Sequence, residues 1–200
     1  MGKVKIKKSD VWIDMTPMSD VMTLLLTFFM LTSTFVKNEP VKVNTPGSVS
    51  ENKVPENGVL TILVSPEKDK AGNPTGEGQV FMSIDNTDQL GASLSTMTGA
   101  FGIELTPKMI ETFKSEGTFG VPMGDLKTYL AMNASKRPQY LQQKGIPLDS
   151  INGGMSEFQQ WVNAARQSNE DIKIALKADA STPYKTVKRV MNELQDMDES

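Results

Sequence analysis

The sequence contains neither cysteine nor histidine. The absence of cysteine excludes a disulfide framework and any thiolate that would act as a nucleophile or metal ligand. The absence of histidine removes the side chain that most often carries protons near neutral pH and most often binds metals. We therefore predict no metal site and no organic cofactor, and any proton chemistry falls to carboxylates. A phosphate-binding loop and a nucleophile elbow are also missing, so we do not expect an enzyme.

Positive charge is not in excess either. The formal net charge is −3 and the isoelectric point is about 5.1. A nucleic-acid partner would require a basic face against its phosphates, so we expect no such partner. The length of 200 residues fits one ordinary domain plus an anchor and is too short for two large domains.

One long apolar run contrasts with the mean hydropathy of −0.31. Residues 11–36 read VWIDMTPMSDVMTLLLTFFMLTSTFV and contain two charged residues, Asp14 and Asp20. A helix of this length would reach about 39 Å, which exceeds the hydrocarbon thickness of about 30 Å. An acidic residue interrupts the approach to the run and no small-residue cleavage site follows it, which favours a retained anchor over a cleaved leader. We predict a transmembrane helix over residues 13–36.

The charges on either side of this helix predict its orientation. Four lysines precede it, whereas only Lys37 and Lys42 follow soon after it. Because basic residues stay on the cytoplasmic side, we expect residues 1–12 in the cytoplasm and the chain from about Lys37 onward across the membrane.

The remaining sequence predicts a linker and one small domain. Residues 37–58 are polar and contain three prolines, which is typical of an extended linker. Beyond it, alternating apolar residues predict strands, and caps with apolar residues at helical spacing predict helices. The strands are expected at 59–65, 79–85 and 171–178, and the helices at 106–115, 124–134, 156–167 and after Thr182-Pro183. The fold class is therefore α+β: a single N-terminal transmembrane helix, the linker and an α+β domain over residues 59–200.

The apolar run carries a polar face. On a helix Thr16, Asp20, Thr23 and Thr27 are spaced at i, i+4, i+7 and i+11. A lipid-facing anchor has no need of such a face, so the pattern predicts packing inside a bundle or against a hydrated path. A carboxyl group in apolar surroundings is held more easily in its neutral form, which suits a proton carrier. Two alternatives stay open: the helix begins after Asp20, whose carboxylate is then a cap, and the threonine hydroxyls bond to the preceding turn.

Three segments resemble a known family. Residues 13–33, IDMTPMSDVMTLLLTFFMLTS, resemble the transmembrane signature of the ExbD/TolR family of energy-transducing inner-membrane proteins, in which an aspartate follows a Thr-Pro pair. Residues 41–48, VKVNTPGS, resemble the family's linker motif, with Thr45 and Gly47 in place of the usual Leu and Ala. Residues 174–197, IALKADASTPYKTVKRVMNELQDM, are similar to its strand–Ala-Asp–helix unit.

This resemblance implies a proton-driven motor of the bacterial inner membrane whose C-terminal domain lies in the periplasm. Asp20 would carry the protons, which are the coupling ion, and the path would be lined by Thr16, Thr23 and Thr27. The implied partners are an ExbB-like pentamer, a second copy of this chain, a TonB-like protein that energises outer-membrane transport, and membrane lipids. The linker residues implied in partner binding are Val41, Val43, Asn44 and Pro46.

The sequence departs from the family pattern at two places. Residues from about 87 to 154 would be an insertion in the periplasmic domain. The family also has a further strand after the last helix. No such strand is found here, so we expect a truncated C-terminus. The second half of 87–154 is rich in glycine and proline, which predicts surface exposure, so we expect the segment to be dispensable for assembly. We expect the linker to be mobile in the resting complex, and to pair with a partner strand or with the soluble domain when the motor is held inactive.

Rival functions stay open from the sequence. A TolR-like subunit of a Tol-Pal envelope motor has the same signature. A flagellar stator subunit is less favoured, because its peptidoglycan-binding domain would need more chain. From a different class, the chain would be a membrane-tethered periplasmic binding or sensor protein whose inserted segment grips a ligand.

Overall fold

The computed structural model describes residues 16–32, 41, 43–45, 58–68, 74–150 and 154–198. The chain divides into two compact units, residues 1–36 and residues 37–200. The first unit contains helix α1 (Thr16–Thr32). Of the predicted membrane helix, residues 13–15 and 33–36 lie outside the described ranges. Among the described residues, no helix has both the length and the apolar character that crossing a membrane requires.

The second unit is an α+β fold, as predicted. Its elements in chain order are β1 (Val59–Lys68), β2 (Pro74–Ile84), α2 (Thr87–Phe101), α3 (Pro107–Glu116), β3 (Thr118–Phe119), α4 (Met123–Ala131), α5 (Arg137–Gln142), α6 (Glu157–Ser168), β4 (Lys173–Ala178) and α7 (Tyr184–Asp198). The strands form one sheet in the order β3-β2-β1-β4. β1 is antiparallel to β2 and parallel to β4. Parallel strands need a long crossover, and helices α2–α6 all lie within it.

The centre of the sheet is buried on both faces. Leu60, Ile62 and Val64 alternate along β1 and are fully buried on one face. On the opposite face Leu63 is directly paired with Phe81 of β2, and both are buried as well. A strand covered on both sides reads as a continuous apolar run, which is why VLTILV was recognisable in the sequence.

Side-chain caps explain where two of the helices begin. The Asn86 side chain accepts hydrogen bonds from the backbone nitrogens of Asp88 and Gln89 at the start of α2. α6 begins with a capping box, in which the Ser156 hydroxyl and the Gln159 side chain bond to each other's backbone nitrogens. α2 ends at Gly102, whose left-handed backbone (φ 63°) is a conformation that glycine adopts without strain.

The predicted surface exposure in the second half of 87–154 holds for only part of the segment. Leu141, Ile146 and Leu148 are buried in the same core as the sheet. The nitrogen of Ile146 donates to the oxygen of Val80 at 2.9 Å, so this segment extends the covered edge of β2. The approach is close, because a Cβ on Gly145 would lie 3.2 Å from the Val80 nitrogen. Whether residues 87–154 are an insertion relative to the family stays a prediction, but they are not a surface addition to this fold.

Candidate functional site: the carboxylate of α1 and the linker contact

Asp20 lies inside a helix and not at its start. α1 begins at Thr16, so Asp20 is in the second turn, beyond the position from which a side chain caps the first backbone nitrogens. The cap alternative for Asp20 is therefore wrong. Because α1 is continuous to Thr32, the predicted spacing of Thr16, Asp20, Thr23 and Thr27 corresponds to one helical face.

The threonine hydroxyls of this face bond to the helix itself. Thr23 Oγ1 donates to the carbonyl oxygen of Ser19 at 2.8 Å, and Thr27 Oγ1 donates to that of Leu24 at 2.9 Å. The alternative of bonding to the preceding turn is therefore realised for these two side chains. Each hydroxyl oxygen can still accept a hydrogen bond, so a protonated carboxyl group on the same face can donate one to it.

Apart from its polar face, α1 consists mostly of apolar side chains that are not buried. None of its residues is buried. Nine bulky apolar side chains from Val21 onward are each at least half exposed: Val21, Met22, Leu24, Leu25, Leu26, Phe28, Phe29, Met30 and Leu31. An uncovered apolar patch of this extent marks a surface that contacts other proteins or lipid.

Part of the linker is attached to the soluble domain. Val41 is buried, and Val43 packs against the same core while staying partly exposed. The backbone nitrogen of Asn44 donates to Asp179 Oδ2 at 2.8 Å. The backbone oxygen of Asn44 in turn accepts from the nitrogen of Ala180 at 3.1 Å. Pro46, the fourth predicted linker residue, lies outside the described ranges.

Asp179 is held in place by the turn between β4 and α7. Its backbone nitrogen donates to the oxygen of Val64 at 2.8 Å, at the end of the β1–β4 pairing. Its Oδ1 accepts from both the backbone nitrogen and the hydroxyl of Ser181, which forms an Asx turn. Thr182 closes the turn by donating its hydroxyl to the same oxygen of Val64 at 3.1 Å. The second carboxylate oxygen, Oδ2, is thereby presented to the linker.

Sequence reasoning missed Asp179 and Ala180 as the linker's binding residues. An aspartate followed two residues later by serine is a signal for an Asx turn, and it was available in the sequence. The signal indicates the turn and gives no information about what its second oxygen binds. In the described part of the chain, no three acidic side chains converge in a way that would hold a metal ion.

Comparison with known proteins shows the family of this chain. The family model described as Biopolymer transport protein ExbD/TolR matches residues 7–198. The biopolymer transport protein exbD2 of Vibrio cholerae serotype O1 is 29% identical over 65 residues, which are 32% of this chain and 48% of that protein. The chain thus spans about half the length of this curated relative. No solved structure matches the chain significantly. Because the family match includes the helix with Asp20, the linker and the whole described domain, the chain belongs to the ExbD/TolR family.

Proposed function

We propose that this chain is the proton-conducting subunit of an ExbB–ExbD-type motor in the bacterial inner membrane. The motor uses the proton motive force to energise TonB-dependent outer-membrane transport. The observation that carries the proposal is the position of Asp20 in the second turn of an otherwise uncharged helix, on one face with Thr23 and Thr27. A carboxyl group in such a helix costs about 2.5–3.5 kcal/mol near a bilayer centre, so its presence favours a functional role.

The uncovered surface of α1 supports a membrane location inside an assembly. Its large apolar side chains satisfy the requirement for contact with lipid or with apolar helices of a partner. The polar face cannot meet lipid at low cost, so it faces a partner or a hydrated path. Two such helices within an ExbB-like pentamer would meet both conditions, and protonation of Asp20 would let its face move through an apolar environment.

The linker contact would give this motor an inactive arrangement. With Asn44 bound to Asp179 and Val41 buried, the linker is held against the soluble domain, which fits the predicted inactive state. Release of these contacts would lengthen the reach between the membrane helix and the domain. The charge bias around α1 favours a periplasmic domain, which would then contact a TonB-like partner.

The test of the proton-carrier role is Asp20→Asn. Asparagine keeps the size and hydrogen-bonding capacity of aspartate but cannot ionise, so the complex should assemble while uptake through a TonB-dependent receptor is lost. Complex abundance is measured by blot in parallel. Asp14→Asn is the matched control, since Asp14 lies six residues earlier in the sequence, nearer the cytoplasmic headgroups. Wild-type uptake by Asp20→Asn at normal abundance would refute the role of Asp20 in a transport motor.

A TolR-like role is the second candidate, because the description of the matching family names both proteins. The two roles predict different phenotypes for the same Asp20→Asn chain. Loss of receptor-dependent uptake with an intact envelope supports the transport motor. Normal uptake with detergent sensitivity and delayed outer-membrane constriction supports the Tol-Pal motor.

A further inference from the structure

A carboxylate is buried in the soluble domain at a place that the proposed motor function does not use. Glu157 is the first residue of α6 and is 5% exposed. No lysine or arginine in the described part of the chain forms an ion pair with it. Burial of an unpaired carboxylate is costly, because the ionised form loses its hydration without gaining an opposite charge.

Glu157 joins the starts of two helices. Its Oε1 accepts a hydrogen bond from the backbone nitrogen of Met123 at 2.7 Å. Met123 is the first residue of α4, and the preceding Pro122 provides no side-chain cap. Glu157 therefore caps α4 from the first turn of α6, across 34 residues of sequence. Loss of this contact would leave a buried backbone nitrogen of α4 without a partner.

Two other acidic groups on the elements around this junction have partners of their own. On α4, Asp125 pairs with Lys144 at 3.0 Å, and on α7, Glu193 accepts from the Ser156 hydroxyl at 2.8 Å. Residues 117–122 and 146–148, which pack at the same junction, contain no titratable side chain. Burial raises the pKa of Glu157 from 4.5 to about 6, and the bond from Met123 opposes this shift.

We propose that Glu157 is a proton-binding switch that tightens the junction of α4 and α6 when protonated and loosens it when ionised. A neutral carboxyl still offers its carbonyl oxygen to the Met123 nitrogen, so protonation keeps the cap and removes the buried charge. The folded state binds this proton more tightly than the unfolded state. The stabilisation is therefore fully present below pH 4.5 and is lost as the pH rises through about 6. This inference does not depend on the motor function.

The experiment compares the full chain in detergent micelles with Glu157→Gln, which is neutral at every pH and keeps the acceptor for Met123. Thermal unfolding and hydrogen exchange over residues 121–126 are measured on both sides of pH 6. The wild-type midpoint should fall by up to about 5 °C as the pH rises, with faster exchange at the start of α4. The unfolding midpoint of Glu157→Gln should not fall in this way as the pH rises. Glu157→Gln should therefore be the more stable protein above pH 6. Glu104→Gln, at an exposed position between α2 and α3, should behave as wild type.

A second measurement needs no substitution. The amide resonance of Met123 in the wild-type chain should titrate with a midpoint near pH 6, because its hydrogen-bond acceptor changes charge. A midpoint near 4.5, or no titration at all, would overturn the proposal. So would a Glu157→Gln chain with the same pH dependence of unfolding as wild type.

Discussion

The backbone nitrogen of Asn44 and the carboxylate of Asp179 are hydrogen-bonded at 2.8 Å although 135 residues separate them. This bond attaches the linker to the end of β4. The other oxygen of the carboxylate is engaged by Ser181, so the two oxygens have separate tasks. Oδ1 stabilises the turn and Oδ2 binds the linker. A substitution at Asp179 can therefore remove the linker contact and keep the turn.

We expect Asp179→Asn to release the linker and leave the domain folded. Asparagine keeps one oxygen that can accept from Ser181. Its amide NH₂ group takes the place of Oδ2, and because this group and the Asn44 backbone N–H are both hydrogen-bond donors, the bond to the linker is lost. The chain has no cysteine, so a single cysteine at position 43 reports the linker by thiol labelling in membrane vesicles. Because Val43 is packed against the core, labelling should be slow in the docked state and fast in the Asp179→Asn chain.

The labelling has an internal control in the same segment. Thr45 is exposed, so a cysteine there should be labelled at one rate in all conditions. With Asp179 intact, a proton uncoupler should slow labelling at position 43, since the idle motor favours the docked linker. Equal labelling at position 43 with and without the uncoupler, and with and without Asp179→Asn, would mean that the linker does not switch.

Residues 87–154 should be required for folding, which reverses the sequence-based expectation that they are dispensable for assembly. Leu94 of α2 is 1% exposed in the core shared with the sheet. We expect Leu94→Ala to lower the free energy of unfolding by about 2–5 kcal/mol, measured by denaturant titration of the full chain in detergent. Thr96→Ala, on the exposed side of the same helix, should change little. A folded protein after replacement of the whole segment would show that β1, β2, β4, α6 and α7 suffice.

Glu116 should stabilise the end of α3 through two partners. Its carboxylate accepts from the Tyr129 hydroxyl of α4 and pairs with Arg137 of α5. Burial and the nearby Glu116 both raise the pKa of Tyr129, so the phenol stays protonated as a donor at all physiological pH values. We expect Glu116→Ala to cost about 2–3 kcal/mol of unfolding free energy. Asp149→Ala, which removes an exposed ion pair with Arg189, should have little effect in the same titration.

Elements with a clear period or cap were predictable from the sequence. The β1–β2 hairpin, α3, α4, α6, β4 and α7 all form close to their predicted positions. α2 was missed because its many Ser, Thr and Gly residues have low helix propensity, although Leu90, Leu94 and Met97 have helical spacing. β3 is only two residues long and is defined by its pairing with β2. This pairing is a long-range contact, so no local sequence pattern predicts it.

The same distinction applies to the candidate site, where local features could be predicted and long-range contacts could not. The polar face of α1 follows from spacing within one helix, so it could be predicted from the sequence, while the role of Asp20 stays a prediction. Asp179 was not found as a linker contact, because its partner is distant in the chain and the contact uses the backbone of Asn44. Glu157 was missed for a related reason: its burial results from packing against α4, and glutamate in a first helical turn is ordinarily exposed.

The parallel pairing of β1 with β4 has a consequence for the order of folding. The β1–β2 hairpin closes a short loop and can form early, whereas β4 can join β1 only after the whole crossover from 85 to 172 has folded back. The Asn44 contact comes later still, because Asp179 reaches its place only when β4 has joined the sheet. The contact between the linker and Asp179 can therefore form only after β4 has joined the sheet, and a domain without β4 in place cannot hold the linker through this bond.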